Sequence, residues 1–203
     1  MPVTTRDRSS LSVTATARRA QIVAATIDVI AEAGFGQASF ARIAERAGLS
    51  STRLISYHFT GKDELIAAVA EDVVASIAAY MALRVGAESN AAGMLRAHIE
   101  GMVEFTVAHR ARMKALLEIF LGGGLHYDAA TDRAVVGHVE AILRQGQADG
   151  EFRDFDPRVV ATTVQRAVEG LPFLLESVPN LDCAGYGREL VTLFELGTRR
   201  SPT

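Results

Sequence analysis

With 203 residues, 49% of them apolar, the chain can bury one ordinary core and a smaller second one. Its longest uncharged apolar runs, 66–70 and 73–83, are too short or interrupted to cross a bilayer, and no apolar leader opens the sequence, so a cytoplasmic protein is expected. The formal charge of −3 hides an asymmetry: residues 1–62 carry eight Lys/Arg against four Asp/Glu, residues 63–203 thirteen against twenty, so only the N-terminal part attracts phosphate.

Residues 1–16 are rich in Ser, Thr and Arg and poor in large apolar side chains, which predicts a mobile arm. It is either a frayed tail or, with Arg6, Arg8, Arg18 and Arg19, a basic segment for the DNA backbone or minor groove. From Ala17 the spacing of Ile22, Ala25, Val29 and Ala33 predicts a helix that stops at Gly34. Ser39 is an N-cap type residue before Phe40, Ile43, Ala44 and Ala47, a helix of about two turns ending at Gly48. Ser50, Ser51 and Thr52 then precede a third short helix with Leu54 and Ile55 facing the core. Two short helices around a glycine turn, set on a longer one, are the pattern of a helix-turn-helix.

A connector helix follows, with Leu65, Val69, Val73 and Ile77 on one stripe. Further helices are predicted at about 91–109, 111–121, 128–148, 157–178 and 183–199. No segment alternates as a strand would. The fold class expected is all-α, with about nine helices: a mobile arm (1–16), a three-helix DNA-binding domain (17–62) and a larger helical region (63–203).

The run from Arg19 to Val73 resembles the DNA-binding domain of TetR-family regulators. The resemblance rests on Ala33-Gly34-Phe35, Ile43-Ala44, Ala47-Gly48-Leu49-Ser50, Tyr57-His58-Phe59 and Lys62-Asp63-Glu64-Leu65, in that order and spacing. Beyond it, the resemblance extends only to size, helical content and the entry 150–157 into a late helix. It implies a homodimer on a palindromic double-stranded DNA operator, most often a repressor released by a small-molecule effector. From Ala47 to Lys62 the sequence is one residue longer than the family spacing. This places an extra residue near Ser50–Thr52, Ser56 where the family usually has a phosphate-contacting tyrosine, and Arg53 where Gly or Pro is usual.

A recognition helix must offer donors and acceptors to base edges from one face while the other packs. Ser50, Ser51, Thr52, Arg53, Ser56 and Tyr57 fit that face. Arg53 is the strongest candidate for sequence reading, since a guanidinium suits bidentate bonding to guanine; its alternative is a phosphate clamp or a solvated charge. By resemblance Ser39, Tyr57, His58 and Lys62 contact phosphate. Lys62 beside a helix N-terminus also makes an anion site on physical grounds; His58 has packing as its alternative. Arg42 and Arg46 on the second helix either steer DNA or are simply solvated.

In the C-terminal region Met102, Phe105, Met113, Leu117 and Phe120 form a Met and aromatic set that reads either as core or as an apolar effector pocket. His109, Tyr127 and Gln165 could supply its few polar atoms, and Phe173 adds a further aromatic. The stripes Val160, Val164, Leu171 and Leu190, Leu193, Phe194, Gly197 are assigned to a dimer interface by resemblance, although a monomer core would need similar stripes. Gly170-Leu171-Pro172 predicts a kink within 157–178. An enzyme is not expected: the histidines at 58, 98, 109, 126 and 138 show no ligand spacing, and no phosphate loop or nucleophile elbow is present, so neither cofactor nor metal is called for. The competing class is a helical adaptor that binds protein rather than DNA.

Overall fold

The computed structural model describes the backbone of residues 6–126, 128–178 and 180–200, and the side chains of that set from Thr14 onward. Among these residues it contains ten α-helices, one 3-10 turn and no strand beyond a single bridge between Phe152 and Arg199. The all-α expectation holds.

The chain divides into two compact units. One holds the described residues up to Val74 together with Ala111–His126; the other holds Ala75–Arg110 and the described residues beyond His126. The sequence puts the boundary at Lys62. The first unit instead runs further along a continuous helix and takes in a helix from the middle of the chain.

In the first unit, α1 (Arg6–Ala33) begins eleven residues before the expected Ala17, so the part of the predicted mobile arm that is described is helical. Its first five residues, and the side chains of Arg6 and Arg8, lie outside the described set. Ile22, Val23, Ile27, Val29 and Ile30 bury one face of α1. The helix stops at Gly34, whose φ of +85° suits a residue without a Cβ, and a 3-10 turn at Phe35–Gln37 follows. In α2 (Phe40–Arg46), the Ser39 hydroxyl accepts from the Arg42 N–H at 3.3 Å, and Gly48 at φ +63° ends the segment. Helix α3 (Arg53–His58) is capped from one residue further out than Thr52, by the Ser51 hydroxyl accepting from the Arg53 N–H at 3.1 Å.

By length and composition alone, helix α4 (Lys62–Val85) is apolar enough to cross a membrane, although its uncharged runs are each too short or interrupted. Its Leu65, Ile66, Val69 and Val73 are each no more than 2% exposed, and Asp72 pairs with Arg112 of α6 (Arg110–Leu121). The apolar side of its first half is thus spent on a protein core, while Val74 and Leu83 further along are exposed.

The second unit packs α5 (Ala91–Ala108) against α7 (Ala129–Ala148) and α10 (Cys183–Thr198), with α8 (Pro157–Glu169) lying on α7. Leu95, Ile99, Val136, Val139, Leu143, Ala161, Val164 and Val168 form its core. Four of its helix starts are closed by side chains. The Asn90 carbonyl oxygen accepts from Gly93, while Asp128, Asp156 and Asp182 cap α7, α8 and α10; the Glu151 carboxylate accepts from the N–H groups of Ala91 and Ala92. The single kinked helix expected at 157–178 is two: α8 ends at Gly170 and α9 (Leu171–Ser177) begins there. Pro172 has no N–H to continue the ladder, so the kink becomes a break.

Candidate nucleic-acid interface

The first unit presents α3 on a frame held by long polar side chains. Arg19 donates to the His58 carbonyl oxygen at 2.6 Å and to Glu64 at 3.1 Å, and its guanidinium lies 4.1 Å from the centre of the Phe59 ring. Glu64 also accepts from the backbone N–H and the hydroxyl of Thr60, at 2.8 and 2.9 Å. These bonds, the backbone one first, hold its carboxyl below the usual carboxylate range. Gln21 donates to the Ala47 carbonyl oxygen at 2.6 Å, closing the end of α2. Arg19 therefore ties α1 to the end of α3 and the start of α4, and serves as an internal strut where the sequence offered it to the DNA backbone. No local spacing announces this, because its partners stand 39 and 45 residues away.

Within this frame Ile55 and Phe59 anchor α3, at 0% and 1% exposure. Leu54, expected to face the core beside Ile55, lies on the exposed side at 36%. Successive residues of a helix are about 100° apart, and a six-residue helix with one buried anchor has no room for a second at its neighbour.

Ser50, Ser51, Thr52, Arg53, Ser56 and Tyr57 are all exposed. Tyr57 is 81% exposed, a large loss of potential burial for an aromatic, and its ring meets the half-buried His58 edge-on at 5.1 Å. Arg53 takes part in no ion pair among the described residues, whereas Arg46 is committed to Glu32 of α1. Ser39 and Arg42 are exposed at the start of α2. Lys62 is half-buried at the start of α4, with its ammonium 4.7 Å from the centre of the Phe35 ring. Short helix, turn, short helix and a row of exposed hydroxyl, guanidinium and phenol groups thus sit on one positively charged segment.

The model for "Bacterial regulatory proteins, tetR family" matches residues 22–69. The HTH-type transcriptional regulator BetI of Cronobacter sakazakii is 29% identical over 182 residues, 81% of this chain and 86% of that one. BetI of Klebsiella pneumoniae is 35% identical over 111 residues, 54% of this chain and 56% of that one. A solved TetR-family regulator from Rhodococcus sp. superposes with a TM-score of 0.75 at 25% identity, over 88% of this chain and 97% of that one. Residues 22–69 are a TetR-family domain, and over most of its length the chain is similar to TetR-family transcriptional regulators. AibR, solved with isovaleryl coenzyme A and operator DNA, shares the fold of this chain with a TM-score of 0.74 at 17% identity, over 87% of this chain and 97% of that one.

The set assigned to an effector pocket is divided between the two units. Met113, Leu117 and Phe120 belong to the first; Met102, Phe105, His109, Gln165 and Phe173 belong to the second; Tyr127 lies outside the described residues. Met102, Phe105 and Met113 are buried side chains, whereas His109 and Phe173 are exposed, the latter at 49%.

Gln165 joins a polar group that the sequence did not reveal. His98 is wholly buried on α5, and its Nδ1 lies 3.2 Å from His138 Nε2 on α7. Gln165 stands close enough to His98 to favour its charged form and donates to Glu169 at 2.9 Å, yet His98 Nε2 and Gln165 Oε1 fall short of hydrogen-bonding geometry. Burial first, and then the neighbouring His138, pushes the His98 imidazole down to about 3. The one sequence signal was a histidine inside the apolar stripe Leu95, Ile99, Met102.

The stripes assigned to a dimer interface are also sorted by burial. Val164, Leu171 and Phe194 are core residues of the second unit and cannot face a partner; a stripe spaced for a helix face does not say which side of that face is covered. Val160 and Leu190 are half-buried, and Leu193 and Gly197 are exposed. Val159 at 60% and Leu196 at 61% join Leu193 at 61% as exposed apolar side chains that the sequence reading left out.

Proposed function

We propose that this regulator is a dimeric repressor, acting in the cytoplasm, that binds a palindromic operator and leaves it when a small apolar or amphipathic ligand is bound. The observation that carries the reading is the exposed row Ser51–Arg53, Ser56 and Tyr57 on a helix whose opposite side is fixed by Ile55, in the one part of the chain with excess positive charge. Arg53 is the base-reading residue, and Ser39, Tyr57, His58 and Lys62 are phosphate contacts that set the register. The exposed Val159, Leu193 and Leu196 support pairing through α8 and α10, since two heads are needed to read two half-sites. An effector is supported by the polar atoms of Gln165 and His98 within an apolar core, and by the ligand and operator found together in AibR.

Selection of bound fragments from a random DNA pool tests the reading. A palindrome should emerge, and a ligand panel should contain a compound that abolishes its recovery. Recovery of a single asymmetric half-site, or of no sequence at all, would overturn it.

A further inference from the structure

Phe35 occupies a seat made of glycine. A Cβ placed on Gly122 would run into Cδ1 of the ring and lie 3.0 Å from its Cγ; one placed on Gly124 would lie 2.6 Å from Cζ and 2.8 Å from Cε2. Aromatic carbons do not tolerate such an approach, so only glycine lets the 122–124 turn lie against the ring. Gly123 between them has φ +74°, and the Gly122 and Gly124 N–H groups bond to the Phe120 helix end through the Glu118 and Ile119 carbonyl oxygens at 2.9 Å each. Glu118 adds a tie, accepting from the Phe35 N–H at 3.4 Å. The 122–124 glycine turn is thus a packing surface.

The ring also meets a group of the proposed DNA face. The Lys62 ammonium stands 4.7 Å from its centre, where the negative face of the π-system attracts a cation. The 3-10 turn that Phe35 begins leads within four residues to Ser39, with Ala38 N–H bonded to the Phe35 carbonyl oxygen at 3.2 Å and Ser39 N–H to that of Gln37 at 2.9 Å. Phe35 is therefore linked to both groups assigned to phosphate at the starts of α2 and α4, to Lys62 through its ring and to Ser39 through the backbone of the turn.

We infer that Phe35, seated on Gly122 and Gly124, is a positioning residue that sets Lys62 and Ser39 for the DNA backbone. Glycines at the end of α6, outside the set of DNA-facing residues, thereby govern phosphate affinity. The inference rests on the proposed phosphate role of Lys62, and the experiment separates the two.

Affinity for a 30-base-pair duplex of random sequence is measured by anisotropy between 50 and 200 mM salt for the wild type, Lys62→Gln, Gly122→Ala, Phe35→Leu and the double variant Lys62→Gln/Gly122→Ala. Lys62→Gln should lower the log–log salt slope by about one per protomer. Gly122→Ala and Phe35→Leu should each lower it by at least half as much, and Gly122→Ala should add little once Lys62 is gone. Gly137→Ala, whose new Cβ meets nothing within 4 Å, should keep the wild-type slope. If Gly122→Ala does not fold, Phe35→Leu decides alone. Wild-type slopes in Phe35→Leu and Gly122→Ala beside a reduced one in Lys62→Gln, or fully additive losses in the double variant, would overturn the inference. A wild-type slope in Lys62→Gln would overturn the phosphate reading of that residue as well.

Discussion

Lowering the pH from 7 to 5 should destabilise this protein through His98. In the unfolded chain its imidazole titrates at the ordinary value of 6.5, whereas in the fold it is held down to about 3. The unfolded chain therefore takes up a proton that the folded one refuses. Stability from this group is complete above about pH 6.5 and is lost as pH falls toward 3. At pH 5 the difference spans about 1.5 units at about 1.36 kcal/mol each, a loss of about 2 kcal/mol. For a chain of this size that is about 4–8 °C in melting temperature. The less buried His138 is lowered by burial in the same direction and adds to the loss. The assay is urea unfolding at both pH values, at one protein concentration, for the wild type and His98→Asn, whose amide can still bond His138 but does not titrate. The wild type should lose about 2 kcal/mol more than the variant between pH 7 and 5, since carboxylate effects are common to both. Equal losses would refute the assignment of a neutral, buried His98.

Three further substitutions probe other parts of the structure. Ser39→Ala removes the cap of α2 and should cost about 1 kcal/mol in urea unfolding as well as weakening DNA binding; unaltered stability would mean that the 3.3 Å bond to Arg42 N–H contributes nothing. Gly146→Ala drives a methyl group into the Phe152 ring and should cost about 1–3 kcal/mol, read from the thermal midpoint. Leu193→Asp places a charge on the exposed apolar face of α10 and should shift sedimentation from dimer to monomer while leaving the melting of the monomer nearly unchanged; a persisting dimer would move the interface elsewhere.

What could be read from the sequence follows the range of the interactions. Helix periods, the Ser39 cap and the Gly34 and Gly48 stops are local, and the corresponding elements stand within a residue or two of where the pattern places them. The start of α1 was misplaced because Ser, Thr and Arg are poor local signals, not because they forbid a helix. Gly170 and Pro172 announced a disturbance, but local signals do not say whether a kink or a break results. Arg19 with Glu64, Phe35 with the 122–124 glycines and His98 with His138 are pairings across 40 or more residues, which no window of the chain encodes. The stripes on α8 and α10 were visible as stripes, yet their spacing could not separate Phe194, which is core, from Leu193, which is exposed.

The placement of Ala111–His126 in the first unit constrains how such a regulator can be recombined. The boundary between the units is crossed three times along the chain, at 74/75, 110/111 and 126/127. A graft of residues 1–74 onto a foreign effector region is a single crossover, and it hands Phe35 a stranger's α6. Where that donor carries even an alanine in place of Gly122, the ring has no seat. Exchange of DNA specificity between relatives by one cut near Lys62 should therefore succeed only among donors with glycine at both contact positions, and a general exchange must transplant α6 with its turn as a second piece.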